Sequence, residues 1–235
     1  MRLSELLSEL TGLGLAVAPS DPEILGVTHD SRTVEPGDLY VALVGQKFDG
    51  RAFAGQAVER GAAAILGPLP DGGAPASLGQ SGVPWVAAAE PRALLGPLAA
   101  RVYGHPDREL TLAAVTGTNG KSTVATLISA VLDAAGIPAG FVGTLGYRFG
   151  DRSFPGGHTT PEASDLFRTL RRMRDAGARA VAMEVSSHAL KLHRVTGTEF
   201  AVGAFTNLSQ DHLDFHTDMA DYFAAKAMLF DGRAR

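Results

Sequence analysis

A short apolar segment, a glycine-rich turn and a helical stretch follow one another directly between residues 110 and 135. Residues 110–115 have the apolar composition of a buried strand. Residues 121–135 have helical spacing that stops at Gly136, with Pro138 just beyond. A buried strand that turns straight into a helix is typical of a parallel sheet connected by crossover helices. This segment therefore predicts the α/β fold class.

The turn has the features of a phosphate-binding loop. Gly117 and Gly120 allow the backbone to turn tightly and to point N–H groups inward, and the start of the following helix also attracts phosphate. Lys121 can reach terminal phosphates, and a hydroxyl after it can ligate Mg²⁺. Val115 occupies the first glycine position of the strict G-x-x-x-x-G-K-[ST] pattern, so an ordinary glycine turn is the alternative. The predicted phosphate-binding residues are Gly117, Thr118, Asn119, Gly120, Lys121, Ser122 and Thr123.

The chain beyond this loop continues the alternation of strands and helices. Further buried strands are predicted at 140–144, 179–185 and 201–205. Further helices are predicted at 160–176 and 217–230. At the start of the first of these helices, Thr160 suits an N-cap, Pro161 a first-turn proline and Glu162 an acidic first turn. We expect residues 106–235 to form a P-loop-type domain on a parallel sheet.

The first part of the chain, residues 1–105, is predicted to form a separate small mixed α/β domain, and residues 104–107 form the turn between the two. Its predicted strands lie at 24–27, 38–44 and 62–66. Its predicted helices are an amphipathic helix at 1–10 and two more at 51–60 and 91–103. Residues 71–82, rich in Gly, Ala, Pro and Ser, predict a surface loop.

Composition excludes several classes of function. The 235 residues contain no cysteine, so disulfides and thiolate metal sites are excluded. The net charge of −4 without a basic block gives no reason to expect a nucleic-acid partner. No run approaches the ~18 apolar residues of a membrane span, and Glu5 and Glu9 interrupt the only candidate signal peptide. We expect a soluble, cytoplasmic protein without a membrane partner.

Four further residues are candidates for metal chemistry. Glu184 ends an apolar run at the predicted carboxyl edge of the sheet, where a charge is costly unless it is paired or metal-bound, although it could also cap a helix. His212 and His216 belong to a polar cluster with Asp211 and Asp214; they are spaced for zinc if helical, or they form a hydrogen-bonded turn. Lys226 is either a surface lysine or, among its apolar neighbours, a buried one.

Several motifs resemble the Mur ligase superfamily, which also includes the folylpolyglutamate synthases. The letters TGTNGKST at 116–123 resemble its ATP loop. Asp30-Ser31-Arg32, the letters PGDLYVAL at 36–43 and Asp49-Gly50 resemble the UDP-sugar-binding N-terminal domain of two kinds of Mur ligase. Two further motifs are similar to the Mur ligases that add the third peptide residue. One is MEVSSHAL at 183–190 together with Arg194, and the other is FTNL at 205–208 followed by DHLDFH at 211–216.

The resemblance implies an ATP-dependent ligase that joins UDP-MurNAc-L-Ala-D-Glu to an amino acid through an acyl phosphate, in peptidoglycan synthesis. It implies ATP and two Mg²⁺ ions as cofactors. The implied metal ligands are Ser122, Glu184, His212 and Lys226, the last as a carbamate formed with CO₂. Catalytic roles are implied for Lys121, Glu184, His212 and Lys226. A lysine whose pKa is lowered by burial is nucleophilic enough to form such a carbamate.

The resemblance also implies substrate contacts. Those for the UDP-muramoyl end are Ser31, Gln46, Lys47 and Phe48. Those for the peptide end are His158, Thr159, Thr160, Ser186 and Arg194. Arg194 suits charge-assisted bonds to carboxylate, whereas the two threonines could instead serve only as helix caps. Leu192 and His158 depart from the residues common in relatives, which are glutamine and asparagine.

Two alternatives remain open from sequence. One is another ligase of the superfamily, either the dipeptide-adding kind or a folylpolyglutamate synthase; the other is a module that binds nucleotide or UDP-sugar without catalysis. The predicted strands leave an unprotected sheet edge, and we find no domain that selects the incoming amino acid. We therefore expect a fragment that is inactive alone. Separately, we expect a monomer, and the sequence does not specify whether lysine, diaminopimelate or ornithine is added.

Overall fold

A computed structural model describes residues 1–8, 10, 20–45, 48–68, 78 and 81–231. The chain divides into two compact units, Met1–Val102 and Tyr103–Arg235. Among the described residues, none of the helices is both long and apolar enough to cross a membrane. The predicted loop at 71–82 lies largely outside the described residues.

The first unit is built on a four-stranded parallel sheet in the order β1-β2-β3-β4. These strands are β1 (Gly26–Thr28), β2 (Asp38–Val41), β3 (Ala64–Pro68) and β4 (Trp85–Ala88). The helices are α1 (Leu3–Ser8), α2 (Ala54–Glu59) and α3 (Pro91–Val102), with 3₁₀ turns at Ser31–Thr33 and Gly50–Phe53. Tyr40, Ile65 and Ala57 belong to one buried core that joins sheet and helix α2.

Local chemistry explains where the first unit departs from expectation. The predicted helix at 51–60 is split, because Asp49 caps a 3₁₀ turn by accepting from Arg51 N, and α2 begins only at Ala54. The β4 strand was not predicted, because four residues directly after a Gly/Pro/Ser-rich stretch carry too short an apolar run to be recognised. This strand pairs with β3 and forms one edge of the sheet.

The second unit contains a six-stranded sheet in the order β10-β5-β9-β6-β7-β8. Its strands are β5 (Thr111–Thr116), β6 (Ala139–Gly143), β7 (Gly146–Phe149), β8 (Arg152–Phe154), β9 (Ala180–Glu184) and β10 (Val202–Phe205). Its helices are α4 (Pro106–Glu109), α5 (Lys121–Ala134), α6 (Ala163–Asp175), α7 (Ser187–Lys191) and α8 (Met219–Ala227). The four strands β10, β5, β9 and β6 are parallel, which confirms the α/β class.

Both faces of this sheet are covered. On one face Ala125 of α5 packs with Val115, Phe141 and Ala182, and on the other α6 packs against a larger core that includes Val181 and Met183. Because β5, β9 and β6 run parallel, their carboxyl ends meet at one edge of the sheet, where ligand crevices form in this architecture. Val115 is in register with Glu184, so the phosphate-loop strand and the strand that ends at Glu184 are neighbours.

Two expectations about the second unit are wrong, and two of its strands were missed. Thr160 is not the N-cap of α6: the helix starts at Ala163 after Glu162, and the Thr160 hydroxyl donates to the main-chain oxygen of Glu184 (2.9 Å) instead. The turn predicted at 104–107 includes the start of α4, after His105 in a left-handed conformation. The antiparallel strands β7 and β8 were not predicted, because charged residues and glycines interrupt their apolar pattern.

Candidate functional site

The glycine loop between β5 and α5 adopts a backbone that its two glycines make possible. Gly117 has a φ of 135° and Gly120 a φ of 85°, both in the region that L side chains rarely adopt. A Cβ on Gly117 would also collide with Thr206 Oγ1 and lie 3.0 Å from the main-chain oxygen of Asn207. Gly120, by contrast, faces open space. The predicted loop is therefore a tight turn that is pressed against residues 206 and 207.

The segment directly after β10 anchors this loop. Thr118 N donates to Asn207 O (2.9 Å), and Asn119 N donates to the Asn207 side-chain oxygen (3.1 Å). Thr206 Oγ1 donates to Asn119 O (2.7 Å), and Ser209 N donates to Thr118 Oγ1 (3.0 Å). Sequence reasoning gave these three anchoring residues no role. The signal for them was a polar run that begins where a neighbouring parallel strand ends.

Two lysine ammonium groups meet at the loop. Lys121 Nζ donates to Gly117 O (2.9 Å) and Thr118 O (2.8 Å), and Lys226 Nζ donates to the same Gly117 O (2.8 Å). Lys226 is 1% exposed and lies 4.3 Å from the centre of the Tyr222 ring, so it is not a surface lysine. Burial lowers the pKa of both lysines, and for Lys226 burial together with the charge of Lys121 brings the pKa to about 8. The two neighbouring positive charges therefore favour the binding of an anion at this position.

Glu184 is buried at the end of β9 and is held by the segment after β6. Its Oε1 accepts from Thr144 N (2.9 Å) and its Oε2 from Thr144 Oγ1 (3.4 Å). A side chain at Gly143 would collide with this carboxylate. Among the described residues this carboxylate accepts hydrogen bonds from Thr144 and from no helix terminus, so the helix-capping alternative is wrong. The carboxylate raises the pKa of Lys121, opposing the effect of burial, which indicates that the two charges attract.

The histidine cluster after β10 forms a turn. His212 has a φ of 54° and a half-exposed side chain, and it lies outside any helix. His216 is 1% exposed, and its two ring nitrogens contact Ser187 Oγ and an Asp221 oxygen. The zinc alternative for His212 and His216 is therefore wrong. Among residues 1–231 as far as they are described, no group of three or more His, Asp or Glu side chains is placed to hold a metal.

The residues assigned to the peptide end lie around the end of β9. Ser186 N donates to Thr160 Oγ1 (3.1 Å), and Arg194 Nη1 donates to Thr160 O (3.2 Å). Ser186 also caps α7 by accepting from Ala189 N (3.1 Å). Arg194 forms an ion pair with the nearly buried Glu162 (2.9 Å), which sequence reasoning did not assign to the site. These contacts bring Thr160, Ser186 and Arg194 together.

The remaining peptide-end candidates lie beside the same edge. Thr159 Oγ1 is 3.1 Å from Thr144 Oγ1, so it is close to the residue that holds Glu184. His158 exposes its side chain, while its main-chain oxygen accepts from Tyr147 Oη (2.6 Å). Ser122 lies half-buried in the first turn of α5, and Thr123 is exposed beside it. The structure thus leaves hydroxyl groups at the loop open to a ligand.

Two of the candidates in the first unit belong to its described part: Ser31 starts a 3₁₀ turn, and Phe48 lies two residues before the other one. Ser31 is buried and its Oγ donates to Gln56 Oε1 (2.7 Å), a partner that sequence reasoning missed. Phe48 is 71% exposed, and its ring faces that of Phe53 at 6.4 Å. Gln46 and Lys47 lie outside the described residues. The described part offers an exposed aromatic ring of the kind that stacks on a planar ligand.

The fold and this site define an α/β protein whose second unit carries a P-loop-type strand, loop and helix. Family comparison gives the same result: residues 115–234 match the Mur ligase middle domain, and residues 23–103 match the domain described as Mur ligase family, catalytic domain. The chain belongs to the Mur ligase family.

Individual relatives are similar to this chain over most of its length. A UDP-N-acetylmuramoyl-L-alanyl-D-glutamate–2,6-diaminopimelate ligase of Streptomyces avermitilis is 48% identical over 95% of this chain and 44% of its own. A UDP-N-acetylmuramyl-tripeptide synthetase of Deinococcus radiodurans is 44% identical over 100% of this chain and 48% of its own. A solved structure of a diaminopimelate ligase of the same name as the first covers 90% of this chain and 42% of its own, at 31% identity and a TM-score of 0.76. The chain therefore spans less than half the length of these relatives.

Proposed function

We propose that this chain supplies the UDP-sugar-binding and ATP-binding parts of a ligase that adds the third amino acid to UDP-MurNAc-L-Ala-D-Glu in peptidoglycan synthesis. The single observation that carries the proposal is a pair of ammonium groups, the half-buried Lys121 and the buried Lys226, that converge on Gly117 O in the unit that also holds the buried carboxylate of Glu184. Two cations at a helix start require an anionic partner, and a triphosphate fits that requirement.

Lys121 is proposed to hold the terminal phosphates of ATP. In the structure its ammonium donates to two loop carbonyls, so binding would exchange these neutral acceptors for charged phosphate oxygens. A phosphate oxygen carries a negative charge that a carbonyl oxygen lacks, so the exchange adds a direct attraction between opposite charges and is favourable. The loop amides and the start of α5 would orient the same phosphates. Positioning and charge neutralisation are the catalytic tools when a carboxylate attacks a phosphate.

The residues present fit Mg²⁺. The Glu184 carboxylate is buried with hydrogen bonds from Thr144 alone among the described residues, and Ser122 adds a hydroxyl; both are hard oxygen donors of the kind that Mg²⁺ prefers. Glu184, Ser122 and His212 would hold the two ions, which supply charge neutralisation between the phosphates and the substrate carboxylate. His212 is half-exposed and turned toward His188, with their ring centres 4.8 Å apart.

Lys226 is proposed to become a further metal ligand by carbamylation. Its pKa of about 8 leaves a neutral amine fraction near neutral pH. The nitrogen lone pair adds to the carbon of CO₂, a proton is released to solvent, and the product is a carbamate anion. This conversion would replace one of two neighbouring positive charges by a negative one. Native mass spectrometry in bicarbonate buffer tests this proposal. Wild-type protein should show a CO₂ adduct that is absent from Lys226→Met, and a wild-type spectrum without the adduct, or an adduct that persists in the variant, would contradict it.

Two groups of substrate contacts are proposed, one in each unit. Ser31 and Phe48, with Gln46 and Lys47, would bind the UDP-muramoyl end. Thr159, Thr160 and Ser186, with His158 and Arg194, would bind the peptide end, where Arg194 would bind a carboxylate. Diaminopimelate is the first amino acid to test, because the Streptomyces avermitilis relative is named for it. We propose that the protein acts as a cytoplasmic monomer.

A calorimetric titration tests the proposed function. Wild-type protein should bind Mg-ATP and UDP-MurNAc-L-Ala-D-Glu, and Lys121→Ala should weaken ATP binding roughly tenfold or more, since a charge-assisted contact of about 1.5–3 kcal/mol is removed. Arg152→Ala removes a positive charge from an exposed position of β8 and serves as the matched control. Absence of ATP binding, or equal loss in both variants, would refute the assignment of the loop.

A further inference from the structure

Helix α8 lies between two candidate subsites and is fastened to both. Near its start, Asp221 contacts His216, which reaches α7, the helix that follows the peptide-end candidate Ser186. One residue further on, Tyr222 contacts the phosphate loop through Thr118. We propose that His216 and Tyr222 are positioning residues that couple the α7 segment to the phosphate loop. The inference rests on the proposed function, which places ligands at these two ends.

The first half of the connection is a buried clamp between α7 and α8. His216 Nε2 is 2.9 Å from Ser187 Oγ, and His216 Nδ1 is 3.2 Å from Asp221 Oδ2. The other Asp221 oxygen accepts from Lys191 Nζ at 2.5 Å, so the chain of contacts starts and ends on α7. Because a carboxylate only accepts, Nδ1 carries a proton, and in the neutral ring Nε2 accepts from Ser187. Each polar group of the clamp is therefore used.

The burial of this clamp fixes its geometry. Ser187 is 0% exposed and His216 is 1% exposed, so neither can exchange its partner for water without moving a helix. The His216 ring also packs beside the Tyr222 ring, with centres 5.1 Å apart. A shift of α7 that displaces Ser187 must therefore be followed by His216 and by the start of α8.

The second half of the connection is a directed hydrogen bond into the phosphate loop. Thr118 Oγ1 donates its one proton to Ser209 O (3.1 Å) and accepts from Ser209 N (3.0 Å). The Tyr222 hydroxyl, 3.2 Å from Thr118 Oγ1, must then be the donor in that contact. Tyr222 is 0% exposed, and its ring supports the Lys226 ammonium that bonds to Gly117 O. One tyrosine thus holds the loop by its hydroxyl and by its ring.

The consequence is a coupling between two binding events. A ligand that orders Ser186 at the start of α7 also orders Ser187, His216 and α8, and therefore fixes Thr118 and the Lys226 side chain at the loop that is proposed to bind the triphosphate. Occupation of the peptide end should strengthen ATP binding, and by linkage ATP should strengthen peptide-end binding by the same factor. The proposal assigns neither His216 nor Tyr222 a contact with either ligand.

The experiment compares wild-type protein with Tyr222→Phe, which removes only the hydroxyl, and His216→Asn, which keeps the Nδ1 contact but cannot reach Ser187. Ala224→Ser, on the exposed side of α8, is the matched control. The first readout is amide hydrogen exchange of ligand-free protein by NMR. Exchange at Thr118 and Asn119 should become about threefold to tenfold faster in both variants, as expected for loss of one neutral hydrogen bond. The control should match wild type.

The second readout is the ratio of ATP dissociation constants without and with UDP-MurNAc-L-Ala-D-Glu. In wild type this ratio should exceed unity, about fivefold or more for a coupling of ordinary size, and in both variants it should fall toward one. The inference would be overturned if amide exchange became faster only in α7 and α8, while exchange in the loop and the ratio of ATP dissociation constants stayed as in wild type. If wild type binds no ATP, the proposed function fails, and the exchange readout still decides the inference independently.

Discussion

Replacement of Gly117 by alanine should destabilise the protein in two ways, by backbone strain and by a steric collision, and comparison with Gly136 separates the two. Its φ of 135° is unfavourable for any L side chain, and its Cβ would collide with Thr206 Oγ1. We expect Gly117→Ala to lower the free energy of unfolding by about 2–4 kcal/mol and to abolish ATP binding, because both strain and overpacking apply. Gly136→Ala, with a φ of 76° and open space, should cost only about 1–2 kcal/mol. Urea denaturation measures both, and equal losses would contradict the close approach.

The buried Lys226 predicts how the stability of the protein depends on pH. Its pKa falls from 10.5 to about 8 on folding, so between these values the unfolded chain binds more protons and stability rises with pH. Below pH 8 the buried charge costs on the order of 3 kcal/mol, part of which its hydrogen bond to Gly117 O offsets. In CO₂-free buffer, Lys226→Met should therefore be more stable than wild type at pH 7, with a difference that shrinks from pH 8 to above pH 10. A difference independent of pH would contradict this.

At the scale of elements, α8 begins where its sequence provides a cap. Asp218 accepts from Asp221 N at 2.8 Å, which satisfies one of the free amides of the first turn. We expect Asp218→Ala to destabilise the second unit by about 1 kcal/mol. ATP binding should weaken as well, because α8 carries Lys226 to the loop. Asp218→Asn keeps an equivalent cap and is the matched control; a comparable loss in both variants would mean that charge, rather than capping, is responsible.

The same scale shows where sequence reasoning about elements succeeds. The helix at 121–135 and the apolar strands of the second unit were predicted to within one or two residues, because their periodicity is strong and glycine or proline marks their ends. The boundaries of α8 were less accurate: residues 217–230 were predicted and Met219–Ala227 are helical. The apolar pattern extends beyond the helix there, since Leu229 and Phe230 lie in a turn whose main-chain hydrogen bonds reach three residues back, to Lys226 and Ala227, instead of four.

At the scale of the whole molecule, each unit has a hydrophobic core of its own. Ile65, which is 0% exposed, belongs to the first unit, and Phe141, which is 1% exposed, to the second. Ile65→Ala should cost about 2–5 kcal/mol and accelerate amide exchange in Met1–Val102, while β5 keeps wild-type exchange. Phe141→Ala should give the reverse pattern. Equal acceleration in both units for either variant would show that they unfold as one.

The α/β class and the tight glycine loop between β5 and α5 were determined by sequence alone, and sequence alone also pointed to Lys121 and Glu184 as candidate residues. The reason is local: a loop between a buried strand and a helix is specified by glycines and by the order of neighbouring residues. A carboxylate in an apolar run is equally visible, because its burial requires an explanation.

Tertiary structure decided which distant groups meet. No spacing places Lys226 on the Gly117 oxygen, 109 residues away, or Tyr222 beside Thr118, 104 residues away. Strand order brings these groups to one edge, since β10 pairs with β5 while β9 lies on the other side of β5. The role of Thr160 changed for the same reason, because a hydroxyl that suits a helix cap locally has a buried main-chain acceptor at Glu184 in the folded chain. Hydrogen-bond partners are chosen by packing, which local sequence does not encode.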